Sequence, residues 1–182
     1  MPRVVPVPVT ESPSNYLTGA LWNAQVKATM DWLLGSSSNG VPRFRGYQGS
    51  AQSLADNTWT SLTLDTEAYD SDNGHSTSTN TSRYTVQVAG TYVISGSASF
   101  AANATGNRAG RITVNGTAIP GSFVKTLAAT ASHSSAVQCV TQAVCSVGDY
   151  IEVQGLQTSG GALNTSAGTD VACSMGVWWI AG

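Results

Sequence analysis

After about residue 40 the chain alternates polar and apolar positions, which puts one side of an extended strand toward a core and the other toward solvent. In residues 84–100, YTVQVAGTYVISGSASF, Tyr84, Val86 and Val88 share one side before Gly90, and Tyr92 and Ile94 share one side after it. This spacing predicts a hairpin that turns at Gly90. The same reading predicts strands over residues 43–48, 59–64, 84–88, 91–100, 108–114, 117–122, 135–145, 150–158 and 171–180. Asn115-Gly116 predicts a tight hairpin turn because both residues tolerate positive φ, and Gly148-Asp149 predicts a second. Residues 65–82 and 158–170 lack periodicity and are rich in Gly, Ser, Thr, Asn and Asp, so they are predicted loops. About nine strands joined by short turns, with no helices between them, exclude a parallel α/β sheet and predict an all-β, antiparallel sandwich or jelly roll.

The pattern changes ahead of the strands. Residues 18–34, TGALWNAQVKATMDWLL, carry Trp22, Val26, Met30 and Leu33 at helical spacing, with Leu21, Ala28 and Trp32 widening the stripe. Thr18 is the predicted N-cap and Gly35 the predicted left-handed residue after the last turn. A lone amphipathic helix of about seventeen residues is marginal in water, so its stripe is expected to pack on the β body, on copies of itself or on a larger assembly. Residues 1–13 place Pro2, Pro6, Pro8 and Pro13 among Val4, Val5, Val7 and Val9, which rules out a helix there. The expectation is an extended arm that docks onto a neighbouring surface. The chain therefore divides into an extended arm (1–17), an amphipathic helix and turn (18–40), and a strand-rich domain (41–182).

Composition narrows the partners. The 182 residues suffice for one domain with its own core, yet only 10% are charged, against roughly a quarter in average soluble chains. Few charges suit a surface that is covered by other subunits. A net charge of -2 gives no basic footprint, so neither nucleic acid nor an anionic membrane is an expected partner. No apolar run approaches a membrane span, and no charged region followed by an apolar one marks a secretory signal. Cys139 and Cys145 are six residues apart on one predicted strand, about 20 Å, and cannot bridge each other. Cys173 could meet one of them across strands, but free, packed thiols in a reducing cytosol are the expectation. No His stands near enough for a zinc site.

Candidate chemistry changes the picture little. His75 and His133 have Ser76, Ser134 and Ser135 beside them, but no nucleophile-elbow sequence accompanies either. Asp65, Glu67, Asp70 and Asp72, with Asn73, form the densest acidic patch, and its spacing does not match a calcium loop, so solvated Asx turns are expected. Arg43, Arg45, Arg83, Arg108 and Arg111 are scattered on strands and are expected in surface or interface pairs. The Gly-rich residues 155–168 contain no Lys and no following helix, so they make no phosphate cradle. No enzyme, cofactor or metal follows from these residues, and a structural or adhesive role is expected.

The runs RYTVQVAGTYVISGSASF, NRAGRITVNGTAIPG, AVCSVGDYIEVQGLQ and MGVWWI resemble, in order and spacing, the jelly roll of complement globular heads and tumour-necrosis-factor-like ligands. The matching places are Gly90 and Tyr92, Gly148 and Asp149, and Trp178 and Trp179, within a domain-sized region from about residue 44 to 180. The segment LWNAQVKATMDWLL, with the arm before it, resembles attachment segments of small virion proteins of actinobacterial tailed phages. The first resemblance implies a homotrimer with one sheet of each subunit around a threefold axis. The strand 136–145 has apolar residues on both sides, as expected when one face meets the core and the other meets neighbouring subunits. Val137, Cys139, Val140 and Val144, with Trp178 and Trp179, are the candidate interface residues. The second resemblance implies a structural virion protein, assembled in the host cytoplasm. Val4, Val5, Val7, Val9, Trp22, Val26, Met30 and Leu33 would anchor it to the major capsid protein or another virion component, as a decoration or head fibre. Loops around Asp70, Asp72 and Gly161 would face outward. The alternative places the same knob on a tail, binding a host-surface glycan.

Overall fold

A computed structural model describes residues 5–12, 16, 18–35, 40–168 and 170–182. Val4, Pro2 and Pro13 of the arm lie outside these residues. The strands are β1 (Arg43–Tyr47), β2 (Ser53–Leu54), β3 (Thr60–Ser61), β4 (Thr66–Asp70), β5 (Arg83–Thr85), β6 (Gly90–Phe100), β7 (Asn107–Val114), β8 (Thr117–Ala118), β9 (Val124–Leu127), β10 (Ser135–Cys145), β11 (Tyr150–Gln157), β12 (Leu163–Asn164) and β13 (Ser174–Ala181). One sheet has the order β10-β6-β13-β1-β4, and the facing sheet has β3-β11-β7-β8 with β5 on β11 and β9 on β7. Strand pairs in both are antiparallel.

Alternation explains the core. Phe44, Tyr92, Ile94, Phe100, Val137, Cys139, Met175 and Val177 point inward from the first sheet and meet Tyr84, Ile112, Ile151 and Val153 from the second. Leu54, Leu62 and Leu64 close the same core from the segments around β2 and β3. The sheets approach closely where side chains are absent: a Cβ on Gly96 of β6 would lie 2.6 Å from Val153 of β11. The three cysteines are free and buried, and burial raises each thiol to about 11. Cys173 Sγ accepts from the Ser99 amide and donates to the Ser99 carbonyl.

The expected all-β jelly roll is present, but several local expectations are corrected. Residues 84–88 and 91–100 do not form a hairpin, because β5 pairs with β11 while β6 pairs with β10 and β13 in the opposite sheet. Gly90 instead gives room to an aromatic ring, since a Cβ there, at φ +151°, would lie 2.2 Å from Trp179 Nε1. Gly148-Asp149 likewise carries the chain from one sheet to the other and closes no hairpin. The Asn115-Gly116 turn is as expected: both residues have positive φ, and Val114 pairs with Thr117. The predicted strands at 59–64 and 117–122 shrink to two residues each, β3 and β8. Strand β4 lies within the expected 65–82 loop, and β12 lies within the expected 158–170 loop. Both escape periodicity because they are short edges. Strand β9 escapes for a related reason, all four of its residues being exposed.

The helix runs through Gly19–Trp22, a π-helical stretch Asn23–Lys27 and Ala28–Leu34, capped by the Thr18 hydroxyl accepting from the Leu21 amide. Gly35 is extended, at φ −63° and ψ 130°, so the expected left-handed terminus is absent.

Candidate assembly surfaces

The first candidate surface is the solvent face of the β10-β6-β13-β1-β4 sheet. Strands β10, β6 and β13 are adjacent, two of them eleven residues long, and contain no charged side chain. Strand β10 is also the edge of its sheet. A long, uncharged edge strand without proline is a template for further association unless something covers it. Along β10, Gln138, Val140, Gln142 and Val144 point outward, with Val140 65% and Val144 82% exposed. Val137 and Cys139 point the other way, into the subunit's own core, and drop out of the candidate interface set. The cause is the two-residue strand period, which sends odd and even positions to opposite faces.

The same period separates the two final tryptophans. Trp178 is on the solvent face, its ring laid over Gly176, where a Cβ would be 2.3 Å from the ring. Trp179 packs against the core, donates its indole N–H to the Ala89 carbonyl and meets Trp32 of the helix edge to face at 5.4 Å. Trp179 therefore ties the helix to the body and points away from the solvent face that carries Trp178. At the far end of the face, Arg45, Tyr47, Ser97, Gln138 and Ser174 line a shallow depression of about 530 Å³.

The second candidate surface is the N-terminal segment. Trp32 is the only buried residue of the helix. The predicted stripe is not buried within the subunit: Trp22, Met30 and Leu33 are exposed and Val26 is half-buried. In the arm, Val7 and Val9 are exposed and Val5 is half-buried, while the Val9 amide donates to Gln25 Oε1 and so fixes the arm against the helix. Among the described residues of this segment, Val7, Val9, Trp22, Met30 and Leu33 are therefore left uncovered by the chain itself. Sequence reasoning missed Trp32 and Trp179 as the clamp, although their position beside the helical stripe and at the end of an inward-facing register was readable.

Within the acidic loop, Asp70 and Asp72 are half-buried while Glu67 and Asn73 are exposed. Asp70 accepts from the amides of Asp72 and His75, and Asp72 accepts the Tyr84 hydroxyl, so neither residue is an outward contact as expected. Gly161 is exposed. Burial, with the Asp72 carboxylate beside it, raises the Tyr84 phenol far above its ordinary range. His75 is enclosed, with Nδ1 2.8 Å from Glu67 Oε1, Nε2 3.0 Å from the Thr81 carbonyl, and its ring on Phe44 at 4.8 Å. No serine hydroxyl is among its hydrogen-bond partners within the described residues. Asp65 joins two turns: burial works against its charge, but the Gly49 amide and donors on Ser50 and Thr66 outweigh it and hold the carboxyl below its usual range. Among the described residues no three His, Cys, Asp or Glu side chains converge as a metal site. Of the scattered arginines, Arg83 pairs with the buried Glu152. Arg108 is corrected from the surface to the interior, where it donates to the carbonyls of Asn103, Thr105 and Asn107.

No family profile matches the chain, and no curated protein matches it in sequence. Solved structures do match in shape. The globular domain of zebrafish complement 1qA protein superposes with a TM-score of 0.56 at 15% identity, over 77% of this chain and 97% of that one. The chain has the complement and tumour-necrosis-factor jelly-roll fold. Murine APRIL matches this jelly roll at a TM-score of 0.55 and 10% identity, over 77% of this chain and 99% of its own. Eiger TNF from S. frugiperda gives 0.54 and 10%, over 78% and 92%. The match spans nearly the whole of each neighbour and leaves about a fifth of this chain outside it.

Proposed function

We propose that the protein is a non-enzymatic structural component of a phage virion: a homotrimeric jelly-roll knob, anchored to the capsid surface by its arm and helix as a decoration or head fibre. The carrying observation is that exposed apolar side chains stand on two surfaces suited to association. One is the uncharged β10 face, with exposed Val140 and Val144 and half-buried Trp178, which suits packing around a threefold axis. The other is the N-terminal segment, with Val7, Val9, Trp22, Met30 and Leu33, which suits docking on a larger shell. The fold supports the first reading, and the low charge supports both, since interface centres are depleted in charged residues. The virion assignment rests on the sequence resemblance of residues 21–34 and the arm to phage attachment segments.

The test is removal of the anchor. A chain lacking residues 1–35 keeps the entire β core described above and is expected to remain a folded trimer that no longer co-sediments with virus particles. Co-sedimentation equal to that of the full chain would refute the anchoring role.

A further inference from the structure

The solvent face of the second sheet lies on the opposite side of the sandwich from the proposed threefold face. Cross-strand register places Ser61, Gln154 and Arg111 in one row across β3, β11 and β7. Their side chains are linked: Arg111 Nε donates to Gln154 Oε1 at 2.8 Å, Gln154 Nε2 to Ser61 Oγ at 3.3 Å, and Ser61 Oγ to Glu152 Oε2 at 3.1 Å. The Trp59 ring covers the Arg111 guanidinium, with Cζ 4.1 Å from the ring centroid, and meets Phe123 edge to face at 6.1 Å. Phe123 is 55% exposed. Lys125 stands opposite Ala109, the neighbour of Arg111 on the same side of β7, and is exposed.

Two features of this row need an occupant. Among the described residues, neither the terminal amino groups of Arg111 nor the ammonium of Lys125 has a carboxylate partner. Arg111 also stands beside aromatic carbon, in a chain with only eight Lys and Arg residues and a net charge of -2. Glu152, the carboxylate linked to this row through Ser61, is taken by Arg83, Ser61 and Ser82. A guanidinium held by its Nε and stacked on an indole presents its remaining N–H groups in a fixed fork, the geometry that takes a carboxylate. A half-exposed phenyl ring next to it offers an apolar face.

We propose that Trp59, Arg111, Phe123 and Lys125 bind a carboxylate-bearing sugar, the cations taking the carboxylate and the Phe123 ring taking the C–H face of the pyranose. Trp59 acts by positioning Arg111. Single-stranded nucleic acid also uses cations with aromatic platforms, but it needs a basic groove that tracks many phosphates, and two cations do not make one. This assignment does not depend on the trimer or the anchor, because all of its residues belong to one sheet of one subunit.

The test is calorimetric titration of the full chain with trigalacturonate and with 3′-sialyllactose, against maltotriose and a short oligothymidylate. At least one acidic sugar is expected to bind with a dissociation constant on the order of 1 mM, the range of one small charged subsite. Arg111→Gln and Phe123→Ala should each weaken it at least about tenfold, a change of 1.4 kcal/mol. Phe123 is largely exposed, so its variant keeps the test open should Arg111→Gln fold poorly. No heat with either acidic sugar, undiminished binding in both variants, or equal binding of maltotriose or the oligothymidylate would each overturn the assignment.

Discussion

Replacing Trp32 with alanine should release the helix from the body while leaving the jelly roll intact. Trp32 is 5% exposed, is the only buried residue of the helix, and meets Trp179 in an edge-to-face contact. A buried tryptophan removes about 150–250 Å² from water. At about 25 cal/mol/Å² this contributes roughly 4–6 kcal/mol, and the aromatic contact adds about 1 kcal/mol. Against this stands the indole N–H of Trp32, which is buried without a hydrogen-bond partner and costs about 1–3 kcal/mol. The net hold on the helix is therefore about 2–6 kcal/mol, a range centred on the usual cost of a buried Trp→Ala change. A helix of this length has little stability of its own, so losing the clamp decides whether it stays folded. Trp32 does not belong to the core cluster between the sheets, so the β body should be spared. Hydrogen exchange followed by mass spectrometry would read both regions separately. The expected result is protection in residues 19–34 reduced by about a hundredfold or more with β6, β10 and β13 unchanged. Full protection of the helix in the variant, or equal loss throughout the β strands, would refute the reasoning.

Two further substitutions probe the core. Gly96→Ala would set a Cβ 2.6 Å from Val153 across the sheets and should lower stability by about 1–3 kcal/mol in denaturant melts; Val153→Ala in the same chain should restore part of it. The three thiols, raised to about 11 by burial, have roughly a hundredfold less thiolate at pH 8 than an ordinary cysteine of pKa 9. No cysteine should react with iodoacetamide in the native protein within the time that all three react in guanidinium, and mass spectrometry of the adducts would show it.

The helical and strand periods were legible: the helix Gly19–Leu34 lies within the expected 18–34, and the named strands all follow residue 42. Long strands read well: β10 occupies the predicted residues 135–145, and β6, β7 and β11 lie within a residue of expectation at each end. Apart from the β7–β8 hairpin at Asn115-Gly116, strand partners did not read. The stretch around Gly90 looks like a hairpin because alternation reports which side of a strand is buried and not which sheet the strand joins. The interface set shows a different limit. Val137 and Val140 are both apolar, and only the three-dimensional register assigns one to the core and the other to the surface. Asp70 and Asp72 looked like solvated turn residues because their partners, the His75 amide and the Tyr84 hydroxyl, lie 5 and 12 residues away. The outer-sheet row of Trp59, Arg111 and Phe123 was invisible for the same reason, being assembled from β7 and the segments flanking β3 and β9.

Sedimentation equilibrium of the purified chain tests the assembly most directly. Three times the 18.7 kDa of one chain is expected at micromolar concentration, with the Val140→Asp, Val144→Asp double variant falling to a single chain because it would bury carboxylates at the proposed threefold interface. A wild-type mass of one chain, with the uncharged β10 face left open to water, would contradict the account.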